Sequence, residues 1–130
     1  MFERSRPLSP FLHYRWQYTN TCSILHRLAG IILAAGFVIL VYWVSALAQG
    51  PEAYARALKG FGHPVFKVLL MLGLVAAVYH FCNGIRHLLF DSGVGLERRQ
   101  ARRGAWVVGV LTILIVGIIG AVFLLGRGAP

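Results

Sequence analysis

Residues 80–91, HFCNGIRHLLFD, concentrate polar and ionisable side chains at the end of a long apolar run. Each of these side chains costs free energy in hydrocarbon, so their presence in a membrane helix indicates a function. In a helix, one face within about 60° carries His80, Gly84, His87 and Asp91. His80 lies about 16 Å from Asp91 along such a helix and therefore deep in the bilayer.

A neutral imidazole at the depth of His80 needs a partner for each ring nitrogen, because a bare one costs about 1–3 kcal/mol. The partner could be haem iron, a polar group of another helix or a proton pathway. The spacing alone does not decide among these three alternatives. Gly84, one turn away, gives room for a flat bulky group and so favours haem. A low-spin haem takes two axial ligands, and no other predicted span holds a deep histidine. The second ligand should then come from another subunit.

A second polar group lies where the first apolar run begins, in TCSILHRLAG at residues 21–30. Ser23, Arg27 and Gly30 share one helix face, with His26 at its margin. An anion would stabilise Arg27 within the bilayer, and both a haem propionate and the developing charge on a quinone are suitable. The alternative is that Arg27 extends to lipid phosphate. Arg86 falls on another face of its helix and is expected to reach the inner membrane surface.

The elements that must position these residues are apolar helices. The chain is 58% hydrophobic and 13% charged, and runs without Lys, Arg, Asp or Glu occupy residues 28–48, 68–85 and 105–126. Each run is close to the roughly 20 residues that cross a bilayer. We therefore predict an all-α membrane protein whose single domain, 1–130, has three transmembrane helices at about 22–48, 65–90 and 104–126. Residues 1–20 have the mixture of aromatic and basic residues typical of an interfacial segment, and 52–58 are predicted to form a short helix.

The net charge of +9 is distributed as in a membrane protein. Most basic residues precede the first span or fill the connection after the second, where Arg98, Arg99, Arg102 and Arg103 lie. Basic residues favour the cytoplasmic side, so the amino terminus is predicted to be cytoplasmic and the carboxyl terminus periplasmic. A nucleic-acid-binding protein would instead concentrate its arginines on one face of a folded module. The third span has no ionisable side chain before Arg127 and is expected to be structural.

Three motifs together resemble the cytochrome b large membrane-anchor subunit of succinate dehydrogenase. They are RPLSP at 6–10, SILHRLAG at 23–30, and HFCNGIRHLLFD at 80–91 followed by Gly93. The resemblance covers essentially the whole chain. It implies a non-autonomous subunit of succinate:quinone oxidoreductase, an enzyme of the tricarboxylic acid cycle and the respiratory chain.

The resemblance also implies site residues and partners. His80 matches the family's axial ligand to the iron of haem b, whose other ligand is a histidine of the small anchor subunit. Ser23 and Arg27 match residues of the ubiquinone site, with Asp91 as a further candidate there. His26 and Arg27 match positions on the haem-propionate side, whereas no role is carried over for His87. The iron–sulfur and flavoprotein subunits, which hold the iron–sulfur clusters and FAD, are the other expected partners, together with membrane lipid.

Two related functions remain open at this point: a haem-free structural anchor, and the corresponding subunit of a fumarate reductase. A proton-conducting subunit is disfavoured, because the outer half of the second span is apolar and the third span adds no ionisable group. No long leader precedes the first motif, so the expected location is a bacterial inner membrane. No nucleic-acid partner is expected.

Overall fold

A computed structural model describes residues 18–127, which form four helices. These are α1 (Tyr18–Ala48), α2 (Pro51–Phe61), α3 (Pro64–Asp91) and α4 (Arg98–Arg127). Three helical stretches are long and apolar enough to cross a membrane: Asn20–Ala48, Pro64–Asp91 and Arg98–Gly126. The all-helical fold with three candidate transmembrane helices is thus confirmed. Most of the predicted interfacial segment, together with the motif at 6–10, lies outside the described residues.

The connection between α1 and α3 contains the short helix α2. Gly50, with φ of 106°, makes the left-handed turn after α1, and Pro51 begins α2 at a position where its missing N–H is no loss. Glu52 in the first turn and Lys59 in the last both complement the helix dipole. The helix therefore extends beyond the predicted 52–58 at both ends.

The carboxyl end of α3 is a Schellman motif. Gly93, with φ of 83°, follows the helix; its N–H binds the Phe90 carbonyl, and the N–H of Val94 binds the Leu89 carbonyl. This turn leads to α4, which begins at Arg98. The four arginines predicted for the connection therefore lie on the first turns of α4, because arginine is a good helix former and the helix continues past the apolar run.

Packing follows the pattern of a membrane protein. α3 packs against both α1 and α4, which also contact each other. Small side chains fill the helix contacts, among them Ala29, Ala46, Ala76 and Ala101, since small residues let helices approach closely. Large apolar side chains face outward, as Leu125 does with 76% of its surface exposed. Such a surface is suited to lipid.

Candidate functional site

An open groove of about 640 Å³ lies between α1 and α3. Its lining comprises Ser23, His26, Arg27, His80, Phe81, Gly84, Ile85, His87 and Leu88. We name this space the α1–α3 groove. It brings together the polar groups that the sequence placed on two separate spans, and its volume is in the range of small-molecule sites.

His80 is held against α1 through one of its ring nitrogens. Its Nδ1 lies 3.2 Å from the backbone carbonyl oxygen of His26. A carbonyl can only accept, so Nδ1 carries the proton and Nε2 keeps its lone pair. The interhelical hydrogen bond considered from the sequence is therefore present, and it accounts for only one of the two nitrogens. A histidine whose other N–H is bound to a carbonyl is the usual arrangement of a metal-ligating imidazole.

Gly30 makes room for the His80 ring. A Cβ at position 30 would lie 3.2 Å from His80 Cε1, which is closer than ordinary van der Waals contact. On the other side, the His26 ring stacks on that of His80, with centroids 3.9 Å apart and planes 10° from parallel. The ring is thus fixed by a hydrogen bond, a stack and a glycine.

His26 has an unsatisfied group in the groove. Its Nδ1 is buried and has no hydrogen-bond partner among the described residues. A buried nitrogen without a partner costs free energy, which indicates that a group outside the described residues completes the site. Gly84 lies beside the same ring, since a Cβ there would be 3.8 Å from His26 Cε1.

The donors in the groove fit axial ligation of haem better than a metal bound by protein alone. Within residues 18–127, no three side chains of His, Cys, Asp or Glu come together as metal ligands. Haem requires only one imidazole from a given chain, and His80 Nε2 is available for that bond. The small residue Gly84 and the unpaired His26 Nδ1 agree with a flat, polar-edged group in the groove.

Ser23 and Arg27 also line the groove, one helical turn apart on α1. Arg27 is exposed and Ser23 is partly buried. Asp91, in contrast, is exposed at the last residue of α3 and does not line the groove. The structure therefore brings together all the predicted site residues except Asp91.

Arg86 is where the sequence interpretation was wrong. It is 5% exposed and is enclosed between α3 and α4 instead of extending away from the helices. Its Nη2 donates to the Ala101 carbonyl of α4 at 3.1 Å, and its guanidinium lies 4.4 Å from the centre of the Phe90 ring. The predicted position of Arg86 around the helix axis was correct. The small residues of α4, however, pack against that face of α3 and make it a buried position. Only the packing of α4 on α3 reveals it.

Sequence reasoning also missed two α3 residues that bind α1. Tyr79 donates its hydroxyl to the Cys22 carbonyl at 3.1 Å, and Asn83 Nδ2 approaches the same oxygen at 3.4 Å. Asn83 is completely buried. Its Nδ2 is also 3.3 Å from Nε2 of His87, whose ring centre lies 5.0 Å from that of His26. The four-residue spacing of Asn83 and His87 was the available signal.

The fold and the groove define a multi-pass helical membrane protein with an imidazole-lined site between two spans. The sequence model of the family described as "Succinate dehydrogenase/Fumarate reductase transmembrane subunit" matches residues 3–119. The chain belongs to this family of transmembrane subunits. It is accordingly a cytochrome b membrane subunit of succinate dehydrogenase, an oxidoreductase complex, and the resemblance found from the sequence is confirmed.

Individual relatives agree with this assignment. The succinate dehydrogenase cytochrome b556 subunit of Paracoccus denitrificans is 35% identical over 125 residues, which cover 85% of this chain and 92% of the relative. The b556 subunit of Rickettsia typhi is 38% identical, with 85% of this chain and 86% of the relative covered. The mitochondrial cytochrome b560 subunit of Homo sapiens is 35% identical over 85% of this chain and 67% of its own length.

Proposed function

We propose that this chain binds haem b jointly with a small membrane-anchor subunit and forms part of the ubiquinone-reduction site of its complex. In this assignment His80 Nε2 would hold the haem iron together with a histidine of the small subunit. The observation that carries the proposal is the position of His80: its Nδ1 is bound to the His26 carbonyl, and its ring lines the groove with Nε2 as the remaining nitrogen. When bound, haem b supplies reversible one-electron transfer.

His26 and Arg27 serve the edge of the haem. The unpaired Nδ1 of His26 can donate to a propionate oxygen, which removes the cost of leaving that nitrogen bare. Arg27 supplies a positive charge at the same end of the groove and forms strong hydrogen bonds with carboxylates. Both residues would therefore hold the haem propionates at the inner end of α1.

Ser23 and Arg27 bind the quinone. The Ser23 hydroxyl donates a hydrogen bond to a headgroup oxygen, and Arg27 stabilises the negative charge that develops there as electrons arrive. The cofactors carry the redox chemistry, whereas this chain supplies orientation and electrostatics. The electrons come from succinate through the FAD and iron–sulfur centres of the flavoprotein and iron–sulfur subunits. Asp91 remains a candidate for proton delivery at the membrane surface, outside the groove itself.

The proposed location is a bacterial inner membrane, with the amino terminus cytoplasmic and the carboxyl terminus periplasmic. The basic first turns of α4 support this orientation, since Arg98, Arg99, Arg102 and Arg103 all lie at the end of the bundle that holds the groove. The groove then faces the side where the iron–sulfur subunit would dock.

The test of haem ligation is a His80→Leu variant of the whole complex. Without the imidazole, the b-type band in the reduced-minus-oxidised optical spectrum should be lost or strongly displaced. His63→Leu is the matched control, because His63 is exposed at the start of α3 and away from the groove. An unchanged bis-imidazole spectrum in His80→Leu would contradict the proposal. Absence of any b-type band in the unaltered complex would identify a haem-free anchor instead.

A further inference from the structure

We infer that Arg86 and Asn83 are positioning residues that fix the His87 ring in the tautomer with its proton on Nδ1. His87 lines the α1–α3 groove, and its sequence motif alone did not indicate a role for it. Its Nε2 faces the buried amide of Asn83, so Nδ1 is the nitrogen left for a ligand. Neither Arg86 nor Asn83 lines the groove, so both act through His87.

Two contacts determine the orientation of the Asn83 amide. Arg86 Nη1 lies 3.4 Å from Asn83 Oδ1, and a guanidinium has only donors, so the oxygen must face Arg86. On the other side, Nδ2 faces the Cys22 carbonyl at 3.4 Å, and a carbonyl only accepts. Two independent contacts therefore place the amide NH₂ toward α1 and His87. The reversed orientation would put two acceptors against each other at Cys22 and two donors at Arg86.

The orientation of the Asn83 amide determines which ring nitrogen of His87 carries the proton. The donor Nδ2 of Asn83 is 3.3 Å from His87 Nε2, so that nitrogen must accept and carries no proton. The ring is then neutral with its proton on Nδ1. An Nδ1–H in the groove can donate to a carbonyl or carboxylate oxygen of a bound molecule. That role toward a quinone rests on the proposed function, whereas the tautomer does not.

Burial and several contacts hold the Arg86 side chain in place beside Asn83. It is 5% exposed, and its partners are neutral: the Asn83 amide, the Ala101 carbonyl and the Phe90 ring. A buried cation is costly, so each of these contacts matters for keeping it there. Gly104 of α4 completes the enclosure, since a Cβ at that position would lie 3.3 Å from Arg86 Nε. Helix α4 is in this way connected to a groove that none of its own residues lines.

The test reads the protons of His87 directly, in the complete complex reconstituted in lipid bilayers. Histidine is labelled with ¹⁵N, and the His87 signals are identified by their loss in His87→Ala. The expected result is a protonated Nδ1 and a bare Nε2. A proton on Nε2 in the unaltered complex would overturn the inference, whether or not any variant assembles.

Asn83→Asp tests the amide. The carboxylate keeps the shape and the contact with Arg86 but can only accept, so the proton of His87 should move to Nε2. Asn20→Asp, the same chemical change on α1, is the control and should leave His87 unaltered. Arg86→Leu should give signals from both tautomers, and Arg86→Lys, which retains a donor, should restore one. A bare Nε2 in Asn83→Asp, or a single unchanged tautomer in Arg86→Leu, would contradict the mechanism.

A double-mutant cycle connects the tautomer to the groove. Asn83→Asp should raise the KM for ubiquinone roughly two- to twelvefold, the range for one hydrogen bond. In a His87→Ala background the same change should have almost no effect, because the affected group is absent. Equal effects in both backgrounds would show that Asn83 does not act through His87. The ¹⁵N measurement involves no quinone, so its outcome stays separate from that of the proposed quinone site.

Discussion

The two ring nitrogens of His80 differ in their contacts. Nδ1 lies 3.2 Å from the His26 carbonyl oxygen, whereas Nε2 is the remaining nitrogen of a ring that lines the α1–α3 groove. A backbone carbonyl cannot move without the helix, so the ring is held more firmly than by a mobile side chain. This arrangement suits an axial ligand, whose orientation affects both binding and electron transfer.

At the residue scale we predict that Arg27→Leu slows quinone reduction. The developing charge on the quinone loses its cationic partner, which should lower kcat/KM for ubiquinone roughly ten- to a hundredfold. Succinate oxidation with an artificial soluble acceptor should remain, because it bypasses the membrane site. Arg56→Leu on α2 is the control for loss of one positive charge. If both activities fell equally, Arg27 would have a structural role instead.

Residue types and their spacing were enough to predict most of the groove but not its supporting contacts. Ser23, Arg27, His26 and His80 were recognisable as unexpected polar groups in apolar helices. Asn83 was given no role and Arg86 was wrongly expected at the membrane surface, because their partners include backbone carbonyls of α1 and α4. A carbonyl leaves no sign in the sequence, since every residue has one.

At the scale of elements, α3 determines the site by binding the helices on both sides. It donates to the carbonyls of Cys22 and His26 on α1, and to that of Ala101 on α4. Two glycines admit the polar side chains of α3: Gly30 on α1 receives His80, and Gly104 on α4 receives Arg86. Each glycine can be tested against another on the same helix.

Gly30→Ala should lower the haem content of the complex. Its Cβ would press on His80 Cε1 from 3.2 Å, and the ring has little freedom because it is bonded and stacked. Overpacking of this kind costs about 1–3 kcal/mol. Gly36→Ala is the matched control, since a Cβ there meets nothing within 4 Å. The measurement is the haem-to-protein ratio by optical spectroscopy, and equal ratios in the two variants would contradict the prediction.

Gly104→Ala should lower thermal stability relative to Gly109→Ala. Replacing glycine by alanine in a helix normally stabilises by about 0.5–1 kcal/mol, and position 109 has open space for the new methyl group. At position 104 the methyl group would lie 3.3 Å from Arg86 Nε, and overpacking should outweigh that gain. Melting curves of the two purified complexes provide the comparison. A Gly104→Ala complex at least as stable as Gly109→Ala would show that Arg86 can move aside.

At the scale of the whole molecule, the bilayer replaces a hydrophobic core. Large side chains point outward, and small or polar ones lie between the helices. Three imidazoles of this chain line the groove, and the proposed function assigns only His80 to the iron, so bis-imidazole ligation would need a second chain. The companion subunit should therefore contribute a membrane helix with a histidine at matching depth.

The orientation in the membrane can be tested with single cysteines at two exposed positions, Glu52→Cys on α2 and Glu97→Cys just before α4. In both variants the native Cys22 and Cys82 are replaced by Ala. A membrane-impermeant maleimide should label position 52 in cells whose outer membrane has been permeabilised. Position 97 should react only after the inner membrane is also opened, because the adjacent arginines favour the cytoplasmic side. The reverse pattern would overturn the proposed topology.

The sequence by itself determined that this protein has three helices long and apolar enough to cross a membrane, and which polar residues share one face of each helix. It could do so because burial in lipid makes every polar residue costly and therefore informative. Only the tertiary structure decided that His80 bonds the His26 carbonyl, that Arg86 is enclosed by α4, and that Asn83 connects Arg86 to His87. These contacts depend on the distance between two helices and on the backbone groups they present. Neither is encoded in the type or the spacing of side chains along one helix.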